Sequence, residues 1–147
     1  MGSHDVIFRV VDFGLPAYSS TVELRRKVLR WPLGLDFTPE DLASEENDFH
    51  VAAMNDDEVI GCLVLTPIDE ATIKMRQVAV EPEWQGTGIG KRLVDYSEYV
   101  ARDEDYKTMI LHARENVVPF YLKLGYQIVG EPFEEVTIPH RRMEKNL

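Results

Sequence analysis

This 147-residue sequence has little cysteine, little basic charge and no long apolar run. The single cysteine, Cys62, excludes an internal disulfide and a cysteine metal cluster. Lys and Arg number 16 against 26 for Asp and Glu, and the resulting net charge of -10 disfavours nucleic-acid binding and favours a cationic partner such as an amine. No apolar run approaches the ~20 residues that span a bilayer, so we expect a cytoplasmic protein with no membrane partner.

The composition that remains, 44% hydrophobic and 29% charged, is typical of one globular core. We therefore expect a single domain over residues 5–147. Residues 1–4, Met-Gly-Ser-His, resemble a remnant of recombinant expression and are left out of the fold prediction. The spacing of His, Asp and Glu matches no metal site, so no metal is expected.

Hydrophobic periodicity predicts the element order β-α-α-β-β-β-α-β-α-β-β, an α/β or α+β domain. The helix between the strands at 71–80 and 108–112 predicts a parallel pair there, because such crossovers join parallel strands. Pro139 predicts an edge position or a bulge for the last strand. Strands are predicted over residues 6–11, 49–54, 59–66, 71–80, 108–112, 126–129 and 135–143, and helices over 18–30, 38–46, 88–103 and 116–124.

The helix predicted at 88–103 has two distinct faces. Its inward face is formed by Leu93, Val94, Ser97, Val100 and Ala101, and its outward face by Lys91, Asp95, Glu98 and Arg102.

A glycine-rich segment, Gln85-Gly86-Thr87-Gly88-Ile89-Gly90-Lys91-Arg92, joins a predicted strand to this helix. A Walker A loop would need glycine at Gln85 and Ser or Thr at Arg92, and dinucleotide fingerprints fail at Lys91 and Leu93. Two alternatives stay open on spacing alone. The segment is either a phosphate-binding turn at a helix N-terminus or a tight structural turn.

Two segments resemble motifs A and B of the GNAT superfamily of acyl-CoA-dependent N-acetyltransferases. Motif A matches Val78-Ala79-Val80-Glu81-Pro82-Glu83-Trp84 followed by Gln85–Gly90, and motif B matches Asn116 through Phe120-Tyr121-Leu122-Lys123-Leu124-Gly125-Tyr126. The tail Glu135-Val136-Thr137-Ile138-Pro139-His140 with Met143 is similar to the ElaA-type subset. The resemblance covers most of the chain.

This resemblance implies a mixed sheet of about seven strands, flanked by about four helices. The strands that end at Val80 and near His112 would splay apart to admit the pantetheine of acetyl-CoA, which is the implied cosubstrate. Cofactor contacts are implied for the backbone of Val78, Ala79 and Val80, for the turn residues Gln85, Gly86, Thr87, Gly88, Ile89, Gly90 and Lys91, and for Asn116, Phe120 and Tyr121.

The implied reaction moves an acetyl group to a primary amine of a small molecule, peptide or protein. The amine attacks directly in a ternary complex, so it needs a base to take its proton. Tyr121 is the candidate general acid for the departing thiolate, with aromatic packing as the alternative. His140 and Glu135 are candidate bases, as is Glu81; the alternatives are a structural histidine and solvated carboxylates.

The acceptor site of this family lies along the first helix and the following loop. Arg25, Arg26 and Arg30 are therefore candidates to bind a substrate carboxylate, with surface charge as the alternative. His112 is a candidate to face the same cleft, with a structural role as the alternative.

Two further expectations concern function and assembly. The rival function is a non-catalytic acyl-CoA-binding module, and the presence of Tyr121 weighs against it. Dimers are common in this family, so a homodimer is a second possibility for assembly.

Cys62 lacks a catalytic partner in sequence and is predicted to be a small core residue.

Overall fold

The computed structural model describes residues 5–147, so the predicted remnant at residues 1–4 lies outside the described part of the chain. Seven strands and four α-helices follow in the predicted order within it. They are β1 Val6–Val11, α1 Pro16–Arg25, α2 Pro39–Ala43, β2 Phe49–Asn55, β3 Glu58–Pro67, β4 Thr72–Val80, α3 Ile89–Asp103, β5 Thr108–Arg114, α4 Val118–Lys123, β6 Gln127–Glu135 and β7 Ile138–Asn146.

The strands form one mixed sheet in the order β1-β2-β3-β4-β5-β7-β6. The predicted α/β fold with about seven strands and four helices is confirmed. No helix within residues 5–147 is both long and apolar enough to cross a membrane.

Residue contacts divide the chain into two compact units, which are described in turn. The first contains the residues up to Thr66 together with Gln77–Ser97, and the second contains Pro67–Arg76 together with Glu98–Leu147. The division falls inside β4, inside α3 and before Pro67, the last residue of β3.

In the first unit, β1, β2 and β3 pair as an antiparallel meander. Helix α1 ends at Arg25, and the helix predicted to Arg30 continues as a π-helical turn, Arg26–Arg30. The core of this unit includes Val22, Ala52, Cys62 and Ala79, all nearly inaccessible. The predicted core role of Cys62 is confirmed, and burial raises the pKa of its thiol to about 12.

Two local features of this unit follow from sequence. Thr38 and Asp41 form a capping box at the start of α2, because each side chain accepts a hydrogen bond from the other residue's backbone N–H. Gly61 in β3 allows a close approach to α3, since a Cβ atom there would lie 2.8 Å from Leu93 Cδ1. A larger residue at this position would require the Leu93 side chain to shift.

In the second unit, Thr72–Met75 of β4 pair in parallel with Thr108–Leu111 of β5, which confirms the predicted parallel pair. Strand β7 pairs with β5 and β6, both antiparallel. The strand predicted over 135–143 is wrong in its start, because Glu135 ends β6 and a turn at Val136-Thr137 precedes β7. Both turn residues have positive φ, the backbone that two-residue hairpins need.

The structure corrects two further details here. Pro139 lies on β7, an interior strand, so the predicted edge position is wrong. The pairing of β6 with β7 is irregular, but the irregularity lies in β6, between Val129 and Phe133. Glu98 was expected to face solvent but is buried, because Tyr126 Oη and Lys145 Nζ donate hydrogen bonds to its carboxylate at 2.8 and 3.0 Å.

Candidate active site

Gln77 interrupts the extended backbone of β4 with a φ of +57°. A residue other than glycine in this region costs about 1–3 kcal/mol, and such strain concentrates at functional sites. The parallel register with β5 covers only Thr72–Met75 of β4, which continues past Gln77 to Val80. Three of the predicted cofactor-contact residues, Val78, Ala79 and Val80, directly follow this irregularity. Because the Ala79 side chain lies in the core, its contact with a cofactor would be through backbone.

The glycine-rich turn joins β4 to α3, as predicted. Gly86 and Gly88 have φ values of +78° and +90°, and a Cβ atom at either would meet nothing within 4 Å. Arg92 N–H is bonded to Gly88 O, so the preceding amides of the turn stand at the N-terminus of a 15-residue helix. Positive-φ glycines at a helix N-terminus leave room and N–H groups for a phosphate, so these residues fit the pyrophosphate of CoA.

Side chains around the turn fix its shape. Gln85 Nε2 donates to Val80 O at 3.0 Å, and the Thr87 hydroxyl donates to Trp84 O. Lys91 is paired with Asp95 at 3.0 Å, and the Arg92 guanidinium lies 4.8 Å from the Phe8 ring centroid. The side chains of Gln85 and Thr87 are therefore engaged within the turn, which leaves its backbone groups as the ones that could contact a cofactor.

The motif B residues lie in the second unit. Asn116 is exposed on a short 3-10 turn, Glu115–Val117, and α4 carries Phe120 and Tyr121. Tyr121 is buried, with its ring against Phe120 and Tyr126 at centroid distances of 5.0 and 5.7 Å. Burial raises the pKa of Tyr121 to about 12, so its phenol is protonated at neutral pH and can donate a proton.

Three site candidates that are far apart in sequence meet in the second unit. His112 Nδ1 lies 2.9 Å from Glu135 Oε1, and His140 Nε2 lies 3.8 Å from Glu135 Oε2. Lys74 Nζ is 3.3 Å from His112 Nδ1. Both histidines and Glu135 are separate candidates from the sequence, whereas Lys74 is not among them. The one sequence signal for Lys74 is its position two residues before Arg76 on a strand, which places the two side chains on the same outward face.

The contacts of His112 determine its tautomer. A carboxylate only accepts hydrogen bonds and an ammonium only donates them, so the contacts of Glu135 and Lys74 with the same Nδ1 call for opposite tautomers. The contact with Glu135 is the shorter, at 2.9 Å against 3.3 Å, and on that ground we assign the hydrogen to Nδ1 and the lone pair to Nε2. Burial would raise the pKa of Glu135, but the hydrogen bond from His112 and the charges of His112, His140 and Lys74 outweigh it and lower the pKa overall. Glu135 therefore stays ionised and orients the His112 ring.

His140 is held differently. Its Nδ1 lies 2.7 Å from Ile138 O of its own strand, and its ring is buried beside Phe133. The Phe133 ring also contacts His112 edge-on at 4.9 Å. Of the two histidines, His112 is the more accessible, with its side chain 24% exposed against 7% for His140.

The arginines predicted for the acceptor site lie in the first unit and have intramolecular partners. Arg25 is fully buried and paired with Glu45. Arg26 Nε is 2.8 Å from Asp36 Oδ1, and Arg30 lies over the Phe37 ring at 4.8 Å. The burial of Arg25 has no signal in the helical pattern, because its partner is 20 residues away.

The first unit also has an open cavity of about 770 Å³ between α1 and the β2–β3 turn. Glu81 lines it and is paired with Lys27, which opposes a base role for this carboxylate. The His112–Glu135 pair lies outside the lining of this cavity. Its other lining residues include Glu23, Trp31, Asp56, Asp57 and Glu58.

Comparison with known proteins identifies the class to which this fold and these residues belong. The model of the acetyltransferase (GNAT) domain family matches residues 36–147. The chain belongs to the GNAT acetyltransferase family, which confirms the resemblance found in sequence.

Individual relatives are more distant. YyaT of Bacillus subtilis, an uncharacterized protein, is 32% identical over 76 residues, which cover 52% of this chain and 51% of that protein, so the chain spans about half of that relative's length. A GNAT acetyltransferase from Elizabethkingia anophelis, solved with acetyl-CoA bound, has a TM-score of 0.76 and 21% identity, with 97% and 98% of the two chains covered. ElaA of Escherichia coli has a TM-score of 0.81 and 18% identity, with 96% and 99% covered. At these identities the two structures show a shared fold.

Proposed function

We propose that this protein is an N-acetyltransferase that moves the acetyl group of acetyl-CoA to a primary amine of a small molecule, peptide or protein. Membership of the acetyltransferase family supports the reaction class. The observation that carries the proposed catalytic role is the hydrogen bond between His112 and Glu135. This bond orients the His112 ring, which lies on an accessible face of its strand. A cytoplasmic location and a homodimer stay predictions.

Acetyl-CoA would be held by the glycine-rich turn and by the end of β4. The N–H groups of residues 88–91 would bind the pyrophosphate, and the backbone of Val78 and Val80 would pair with the pantetheine amides. Asn116 and Phe120 are the proposed contacts from motif B. The cofactor supplies the acetyl group as a reactive thioester.

His112 is the proposed base. An alkyl amine is mostly protonated at neutral pH, with a reference pKa near ~10, so it must lose a proton before it attacks. Nε2 of His112 carries the lone pair that accepts this proton, directly or through a water, while Glu135 stabilises the imidazolium that forms. His140 and Glu135 itself remain the alternative bases.

Tyr121 is the proposed general acid. The acceptor nitrogen bonds to the acetyl carbon, the bond from that carbon to sulfur breaks, and the Tyr121 hydroxyl gives its proton to the sulfur. The phenol carries this proton at neutral pH, and the proton passes to the sulfur as the carbon–sulfur bond breaks. Arg26 and Arg30 stay proposed acceptor contacts.

The test measures thiol release from acetyl-CoA over a panel of amines, alongside calorimetric titration of CoA. We expect amine-dependent release in the wild type. Tyr121→Phe should lower kcat about tenfold or more without weakening CoA binding, whereas Gly88→Val should weaken CoA binding because a branched residue is strained at positive φ. CoA binding without release on any amine would favour the non-catalytic module, and absence of binding would contradict the assignment of the turn.

A further inference from the structure

The outward face of the second unit's strands collects positive charge. Lys74 and Arg76 lie two residues apart on β4, and His112 and Arg114 lie two apart on β5, so each pair shares a face of its strand. The 3.3 Å contact between Lys74 and His112 shows that these strands present their pairs on the same side.

Strand β7 adds a further cation to this face. Arg142 is directly opposite His112 in the antiparallel pair, an arrangement that brings Cβ atoms to about 4.5–5.5 Å. Glu144, two residues on, lies 3.8 Å from Arg142. The face thus has four cations, Lys74, Arg76, Arg114 and Arg142, against two carboxylates, Glu135 and Glu144.

This local excess is opposite in sign to the whole chain, whose net charge is -10. Burial lowers the pKa of Lys74, and the nearby charges of Arg76 and Arg142 lower it further, while Glu135 acts in the other direction. Like charges on one sheet face destabilise one another, so a functional reason for keeping them is expected.

We infer that the acceptor carries an anionic group, a carboxylate or a phosphate, close to its amine, and that Arg142 and Lys74 bind this group beside His112. The inference rests on the proposed function and names its acceptor class. Composition predicts a cationic partner such as an amine, because the chain as a whole is acidic. The positive face adds that the same acceptor molecule also carries an anion. Arg142 supplies a planar fork for the anion, and Lys74 a point charge.

The experiment compares matched pairs of acceptors that differ in the anion. L-Phenylalanine is paired with L-phenylalaninamide for the carboxylate, and phosphoethanolamine with ethanolamine for the phosphate. Thiol release is measured over acceptor concentration for the wild type, Arg142→Gln and Arg142→Lys. Arg141→Gln is the control, because Arg141 is the neighbouring cation on β7 and its side chain points to the other face of the sheet. Arg141 pairs with the buried Ala113 and donates to Gly130 O at 3.1 Å.

We expect the anionic member of at least one pair to have the higher kcat/KM, and the pair that shows it identifies the anion. Arg142→Gln should raise KM for that acceptor about tenfold or more with little change in kcat, which is the loss of one charge-assisted contact. Arg142→Lys should restore part of it, and the neutral acceptor and Arg141→Gln should show no such change. Turnover without preference for the anionic member, or a preference that Arg142→Gln leaves intact, would overturn the inference. Absence of turnover with both anionic amines, while neutral amines of the wider panel are acetylated, would overturn the inference and leave the proposed function intact. Absence of turnover with every amine of that panel would contradict the proposed function itself.

Discussion

Each unit of the molecule contains a histidine, a glutamate and a cation in contact, and the two clusters differ in access. In the first unit, Arg25 donates to both Glu45 oxygens, at 2.9 and 2.5 Å, and His50 Nε2 lies 2.9 Å from Glu45 O. Arg25 and His50 are 0% and 2% exposed. In the second unit, the side chains of His112 and Glu135 are 24% and 45% exposed.

The difference teaches that residue type does not decide role. Tyr18 Oη donates to Glu45 at 2.9 Å, so the buried cluster ties α1 to the segment that follows α2. Burial lowers the pKa of His50, which keeps the imidazole neutral in the core. The cluster of the second unit has similar groups where a substrate can reach them. We therefore expect changes in the first cluster to affect folding and changes in the second to affect turnover.

The largest expected effect is that of Glu45→Ala on stability. It leaves the Arg25 guanidinium buried without its partner, and breaking a buried pair costs about 3–5 kcal/mol of unfolding free energy. Urea unfolding of the wild type and the variant measures it. The matched control, Glu135→Ala, removes a half-exposed carboxylate and should cost about 1 kcal/mol or less. Equal losses in the two variants would contradict the distinction between the clusters.

The second prediction concerns turnover. His112→Gln removes the proposed base and should lower kcat about 10²-fold or more, while unfolding free energy changes little. His50→Gln is the control for the buried cluster and should lower stability without a comparable loss of kcat in the folded fraction. Steady-state thiol release and urea unfolding are measured on the same preparations. If His112→Gln keeps wild-type kcat, the base assignment passes to His140 or Glu135.

Most of the fold is predictable from the sequence because periodicity and turn residues are local signals. The element order follows from the periodicity of consecutive segments, and the parallel pair of β4 and β5 follows from the helix that connects them. Glu98 was misplaced because its partners, Tyr126 and Lys145, are 28 and 47 residues away. The same limit applies to the site: His112 and Glu135 were each named from sequence, but their hydrogen bond spans 23 residues, and so only the fold reveals it.

The smallest predicted effect is the acid dependence of stability. Burial would raise the pKa of Glu45, but the hydrogen bond and charge of Arg25 outweigh it and lower the pKa below 4.5. A carboxylate with a lowered folded-state pKa stabilises the fold above its unfolded pKa, and this contribution is lost as pH falls through the folded value. The stability difference between wild type and Glu45→Gln should therefore shrink as the pH falls through the unfolded-state pKa of glutamate, about 4.3, and further below it. Urea unfolding at a series of pH values measures this difference.

Glu135 makes this last comparison sharper. Its pKa is also lowered, but the carboxylate is half-exposed and water screens its interaction with His112. Glu135→Gln should therefore change the acid dependence in the same direction and by less than Glu45→Gln. A difference between wild type and Glu45→Gln that stays constant with pH would mean that the Glu45 carboxyl has the same pKa in the folded and unfolded chain. Arg25 would then lower the pKa of Glu45 no more than His112 lowers that of Glu135. The two clusters would in that case differ only in their access to solvent.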